Sequence, residues 1–270
     1  MTLTVTPALS TGFPRLDALL RGGLRPGTLT MIGARSGDGA STFVYALLRD
    51  ASIKRGLPAY LATTQESRQN VLAKMLGAEA GVDTSHIHVR RCSPAESERL
   101  RENSKRVGTA PLVIDDAVHM SLTHIRVAMR KAIRNKGGLE LAVIDSVMPV
   151  DAGHDAERCT EEWASRIGPE LRAMARSFRI PVIATVPLKW PANGSFRAPS
   201  LTDLPEGDFD QWADSLVMLH VTDPDEHRAN ARGAWGVTVT VAKTRNGRGG
   251  SIEFVHEGPF SRFRDAEDVS

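Results

Sequence analysis

The chain has only two cysteines, Cys92 and Cys159, in 270 residues. That is too few for a disulfide framework or a four-thiolate metal site, and it suits a reducing cytosol. No run of about 18 apolar residues occurs, so the sequence offers no membrane-spanning helix. Met1 to Ser10 has neither a basic start nor an apolar core, and no secretory leader is read there. Net charge is small: Lys+Arg 34 against Asp+Glu 32 leaves +2, with a pI near 8.7. Bulk charge therefore neither requires nor rules out a nucleic-acid partner, and any such site has to come from a local cluster. A soluble cytoplasmic protein with no membrane partner is the expectation.

With 41% hydrophobic residues the chain has enough apolar material for one large α/β domain. Apolar, β-leaning runs recur at 29–33, 59–63, 112–115, 141–145 and 181–186, continuous rather than alternating, as in strands covered on both faces. Helical periodicity predicts helices over 41–54, 67–80, 121–135 and about 157–177. Strand and helix in alternation predict βαβ units around a mainly parallel sheet with helices on both faces. Three later runs, 215–220, 236–242 and 251–255, predict a short antiparallel extension at the sheet edge. The stretches 187–199 and 222–233 read as long loops of the kind that carry function.

Residues 34 to 42 read Ala34-Arg35-Ser36-Gly37-Asp38-Gly39-Ala40-Ser41-Thr42. They trace a phosphate-binding loop, G-x-x-x-x-G-K-[ST], whose backbone N–H groups cradle phosphate oxygens while its Lys reaches the β/γ-phosphates. Ala40 stands where that Lys belongs. The apolar run before the loop and the helical pattern after it supply the strand and helix such a loop needs; a glycine-rich surface turn is the plain alternative. The strand Leu141 to Asp145 ends in an acid, which sets a carboxylate beside the loop. In P-loop NTPases such an Asp holds Mg²⁺ together with the loop hydroxyl, here Ser41; its alternative is turn chemistry alone. Asp115 and Asp116 end another strand, face opposite sides and so cannot serve one metal. They read as mostly structural, a turn or helix-entry element before Ser121.

In order along the chain come Ser10-Thr11-Gly12-Phe13 with Leu16-Asp17, Gly23-Leu24 and Pro26, then the loop Ala34 to Ser41, then Met75-Leu76 with Ala78-Glu79. Ile114-Asp115-Asp116, Val143-Ile144-Asp145, Pro181-Val182-Ile183-Ala184 and Ala242-Lys243-Thr244-Arg245-Asn246-Gly247 follow. In this order and spacing the chain, from about residue 9 to residue 265, resembles the RecA-like motor domain of DnaB-type bacterial replicative helicases. The opening block alone also suits RadA-like or circadian-clock-type RecA proteins, and the K-x-R-N-G segment decides between them. The resemblance implies a single RecA-like P-loop NTPase domain over residues 1–270, without the family's N-terminal collar domain. It also implies ATP and Mg²⁺ as cofactors, single-stranded DNA as a partner, and assembly with like subunits or with replicative helicase subunits.

The departures from the family pattern fall on hydrolysis. Besides Ala40, Gln65 stands for the Glu that activates the attacking water, and Pro187 for the Gln that senses the γ-phosphate. An amide cannot accept a proton from water as a carboxylate does, although the adjacent Glu66 is a substitute after a one-residue slip. Binding of ATP and Mg²⁺ is expected to be weak, and catalytic competence is left open. Lys243 and Arg245 are retained; the family presents them in trans to a neighbour's nucleotide, and solvated strand-end charge is the alternative. The loops after Asp145 and Val186, which line the family's central channel, offer His154 and Arg158 in the first and Lys189, Trp190, Phe196 and Arg197 in the second. Basic residues interleaved with aromatics are what single-strand binding uses, whereas Asp151, Asp155 and Glu157 oppose phosphate. Three functions are thus in play: an assembly-forming, DNA-associated protein with a damaged ATPase; a working ATP-dependent helicase; and a non-catalytic module that docks on and regulates a replicative helicase. The three departures favour the first or third, and the retained Lys243 and Arg245 favour assembly.

Overall fold

A computed structural model describes residues 7–148, 150, 161–191, 196–205, 209–223, 233–245 and 247–268, with backbone only over 161–164. Its elements run α1 (Pro14–Leu19), β1 (Leu29–Ala34), α2 (Ala40–Leu48), a π-helical turn (Arg49–Lys54), β2 (Ala59–Thr63), α3 (Arg68–Ala80), α4 (Thr84–His88), α5 (Pro94–Thr109) and β3 (Leu112–Asp115). There follow α6 (Leu122–Lys136), β4 (Leu141–Asp145), α7 (Glu161–Phe178), β5 (Val182–Pro187), α8 (Phe209–Trp212), β6 (Ser215–Val221), β7 (Ala234–Thr244), β8 (Gly250–Glu257) and β9 (Arg262–Asp265).

Among the described residues the strands form one sheet in the order β3-β2-β4-β5-β1-β6-β7-β8-β9. From β3 to β6 neighbours are parallel; from β6 to β9 they are antiparallel. This is the mainly parallel α/β sheet that the alternating runs predict. Successive residues of a strand face opposite sides, so each central strand feeds two cores. In β4, Leu141 and Val143 join Phe43, Leu48, Val71 and Met75 of α2 and α3. Ala142 and Ile144 join Ile125 and Met129 of α6 and Leu171 and Met174 of α7 on the other face. Burial on both sides is why these strands read as unbroken apolar runs.

The structure corrects the sequence reading in three places. Residues 215–220 do not belong to the antiparallel extension alone: β6 pairs parallel with β1 and antiparallel with β7, and β9 supplies the missing outer strand. Residues 94–109 form a helix that hydrophobic periodicity misses, because only Val107 is buried. What starts α5 is a capping box, with Ser93 accepting from the Glu96 N–H, Glu96 accepting from the Ser93 N–H, and Pro94 in the first turn. Of the two acids before Ser121, Asp116 serves the head of α3 and not the entry to α6. It accepts the Arg68 N–H (2.7 Å) at the head of α3, while Asp115 takes the Tyr60 hydroxyl and a His124 ring nitrogen, each at 2.8 Å. Among the described residues no helix is long and apolar enough to cross a membrane.

Four phenylalanines tie α2 to the outer strands. The fully buried Phe43 ring meets Phe13 at 5.9 Å, Phe254 of β8 at 5.8 Å and Phe263 of β9 at 5.2 Å, the last two edge-on. Such pairs add to the hydrophobic stabilisation of a buried ring. Phe43→Ala is expected to cost about 3–5 kcal/mol in denaturant unfolding; a loss under about 1 kcal/mol would mean that this cluster does not anchor the helix.

Candidate nucleotide site

The loop between β1 and α2 opens at the carboxyl ends of the parallel strands, where open α/β sheets hold ligands. Gly37 and Gly39 have φ of 95° and 90°, the left-handed region that glycine enters without strain. A Cβ on Gly39 would also stand 3.0 Å from Phe263. The loop's path therefore depends on glycine and on the aromatic cluster behind it. No side chain caps the start of α2, so its first N–H groups remain available to an anion.

The cleft above the loop has a volume of about 500 Å³, within the range of small-molecule sites. It is lined by the loop residues Ala34 to Gly37 and Gly39 to Thr42, by Gln65, Glu66 and Lys74 after β2, and by Asp145, Thr185 and Pro187 at the ends of β4 and β5. Trp235 and His256 close the far side. They are a cross-strand pair of β7 and β8, with the His256 ring edge-on to Trp235 (4.4 Å) and stacked on Phe263 (4.7 Å). Neither residue, nor Lys74, was singled out from sequence. Nothing in the local pattern marks them, because their place depends on strand register and on the angle at which α3 leaves β2.

Asp145 is buried at the end of β4. Its Oδ1 accepts from the Thr185 hydroxyl (2.7 Å), whereas Oδ2 is buried without a hydrogen-bond partner. Burial pushes the carboxyl above the usual range, and the hydroxyls of Thr185, Ser41 and Tyr45 pull it back. An orphaned carboxylate oxygen beside a hydroxyl fits a hard divalent cation such as Mg²⁺. Among the described residues no three His, Cys, Asp or Glu side chains gather as a complete cage. Such an ion would rely on Asp145, Ser41, water and its phosphate ligand.

Asp38 is turned away from the cleft. Its Oδ2 accepts the Arg35 N–H at 3.3 Å, and its own N–H donates to the Arg35 carbonyl at 3.1 Å. Burial pushes this carboxyl up to about 6, more than the Arg35 N–H and charge pull it down. The Arg35 guanidinium does not face the phosphate position either. It donates to the Arg197 carbonyl (2.8 Å), approaches Asp203 (3.5 Å) and lies over the Trp190 ring, 4.7 Å from its centroid. Glu66 is ion-paired with Lys74, its Oε2 buried without a partner, and Gln65 is exposed.

The other predicted residues lie apart from the cleft. Lys243 donates to the Asp210 carbonyl, and Arg245 reaches the Gln211 carbonyl (3.3 Å) and Asp214 (3.1 Å), so both are tied to α8 and the segment after it. In the loop after β5, Arg197 makes a bidentate pair with Asp203, both contacts 2.7 Å. Trp190 is 53% exposed and lies beside Phe196, ring centroids 6.4 Å apart; Lys189 is also exposed. His154 and Arg158 lie outside the described residues.

Comparison with known proteins places this geometry. The DnaB-like helicase C terminal domain family matches residues 8–265. The chain belongs to that family. The chain is similar to the replicative DNA helicase DnaB of Leifsonia xyli subsp. xyli, 32% identical over 261 residues that cover 96% of this chain and 56% of that protein. The DnaB of Treponema pallidum is 27% identical over 257 residues, 94% of this chain and 55% of that protein. The chain thus spans about half the length of the curated relatives it matches. In fold it is similar to a solved ATPase domain, with a TM-score of 0.84 at 21% identity, covering 97% of this chain and 92% of that one. A DnaB-like replicative helicase studied with primase gives 0.85 at 20% identity, covering 96% and 62%. The DnaB-like domain here therefore has the RecA-like P-loop fold.

The loop's buried acid yields a pH test. Because Asp38 is raised from 3.8 to about 6, its contribution to stability is fully present below pH about 4 and lost as pH rises through about 6, a change of about 3 kcal/mol. Asp38→Asn keeps an acceptor for the Arg35 N–H and has no proton to lose. Its stability relative to wild type, from urea unfolding, is expected to rise between pH 4 and pH 7; a difference constant across that range would contradict the assignment.

Proposed function

We propose that this DnaB-like domain binds ATP with Mg²⁺ weakly, hydrolyses it poorly, and acts through assembly and contact with single-stranded DNA. One observation carries the reading. The cleft keeps the phosphate-loop backbone and the Ser41 and Asp145 oxygens suited to a metal, but presents a methyl group, an amide and a proline ring at Ala40, Gln65 and Pro187. The first set holds phosphate and cation; the second is where charge neutralisation, base catalysis and γ-phosphate sensing are needed. Glu66, the neighbouring carboxylate, is engaged by Lys74, so its use as a base requires that pair to open.

Removing one charge-assisted phosphate contact costs about 1.5–3 kcal/mol, or one to two orders of magnitude in affinity. Binding by backbone amides and the helix start remains. Lys243 and Arg245 hold neutral carbonyls and one buried carboxylate, Asp214, which Arg172 and the Leu29 N–H also satisfy, so a neighbour's phosphate can draw the Arg245 guanidinium away without leaving Asp214 unpaired. That supports a role in trans, with either like subunits or replicative helicase subunits. Trp190 and Lys189 offer a base-stacking face and a cation for a single strand; Arg197, already paired with Asp203, instead shapes the loop.

Ala40→Lys is expected to tighten a fluorescent ATP analogue by about tenfold or more, and single-stranded DNA binding is expected to weaken steeply with salt and on combined Lys189→Ala and Trp190→Ala substitution. Unchanged nucleotide affinity in Ala40→Lys would mean that the loop does not cradle phosphate, and DNA affinity indifferent to both salt and the double substitution would remove the DNA role.

A further inference from the structure

We propose that Lys74, from the second turn of α3, supplies the phosphate-directed charge that Ala40 does not, giving up Glu66 for phosphate when nucleotide enters. The inference rests on the nucleotide-binding reading above and names the residue that makes it workable.

The need is electrostatic. Asp145 and Glu66 both line the cleft, so two carboxylates already share it. A polyphosphate would add negative charge to this same space. The phosphate loop cannot answer it: Ala40 has no charge, and the Arg35 guanidinium is buried against Asp203, the Arg197 carbonyl and Trp190. Among the described residues Lys74 is the other lysine or arginine lining the cleft.

Its present bonding leaves it able to change partners. An ammonium has three donors, and Lys74 is ion-paired with Glu66 through Oε1. Glu66 holds its second oxygen buried without a partner, so the pair is only half satisfied, an arrangement that costs free energy in a desolvated setting. The lysine side chain is 28% exposed, on the cleft side of a helix anchored by Val71 and Met75 in the core. Its stem is flexible and its charge compact, the properties by which lysine serves phosphate as a point charge without fixed geometry. A phosphate group carries more charge than one carboxylate and accepts several hydrogen bonds, so it competes with Glu66 for the ammonium. The exchange also releases the Glu66 carboxylate beside the phosphate position.

The test is equilibrium binding of a fluorescent ADP and ATP analogue with Mg²⁺, read by anisotropy, with circular dichroism and melting as folding controls. Lys74→Ala and Lys74→Gln are expected to weaken binding by about tenfold or more, and Lys74→Arg to retain most of it. Glu66→Gln is expected to tighten binding, since it frees the ammonium and removes a repelling charge. Adding Ala40→Lys to Lys74→Ala should restore the loss, because a lysine in either place answers the same phosphates. Lys74→Ala and Lys74→Gln binding as tightly as wild type would overturn the proposal. If wild type fails to bind while Ala40→Lys binds, Lys74 does not supply the charge and the phosphate loop is nonetheless competent. If neither binds, nucleotide binding itself falls.

Discussion

A carboxylate buried at the end of β4 with one oxygen unanswered sets the terms for the rest of the cleft. Asp145 takes a hydrogen bond from Thr185 at Oδ1 and buries Oδ2, and a buried carboxylate without a counter-charge is costly enough that the surroundings must either neutralise it or bind a cation against it. The glycine-shaped loop and Ser41 line the same cleft as Asp145, and α2 starts there without a side-chain cap, which supplies groups suited to an anion and its metal. What the cleft lacks is a fixed cation in the loop. Lys74 is the charge placed to make up the deficit, and it currently neutralises Glu66 instead.

The position of the loop is a packing result. Gly39 leaves no room for a side chain beside the Phe263 ring, Phe263 packs on Phe43, and Phe43 lies in the first turn of α2. The antiparallel outer strands thus hold the phosphate loop from behind, and through Trp235 and His256 they also form the far wall of the cleft. Arg35 gives the loop a second attachment, to the segment that carries Trp190 and Arg197. The proposed nucleotide and DNA surfaces are therefore in direct contact through one buried guanidinium.

The central strands were legible because two cores bury both of their faces, which leaves continuous apolar runs at 29–33, 59–63 and 141–145. The loop and Asp145 were legible because their spacing is local. Helix α5 was not, since a single buried residue gives no periodicity, although Ser93-Pro94 and Glu96 carried a capping signal that propensity reasoning can use. The direction of the Arg35 side chain depends on Asp203, and the entry of Lys74, Trp235 and His256 into the cleft depends on register and helix angle. Those are tertiary facts, with no counterpart in a local window. The Lys74–Glu66 pair matters most here, because the sequence offered Glu66 as a substitute base and the structure shows it already engaged.

The most direct measurement is the fate of bound ATP. Protein in excess over ATP and Mg²⁺, at concentrations that drive binding, should return the nucleotide as ATP after prolonged incubation, with and without single-stranded DNA. Rapid conversion to ADP that Asp145→Asn abolishes would contradict a site that binds phosphate and hydrolyses it poorly.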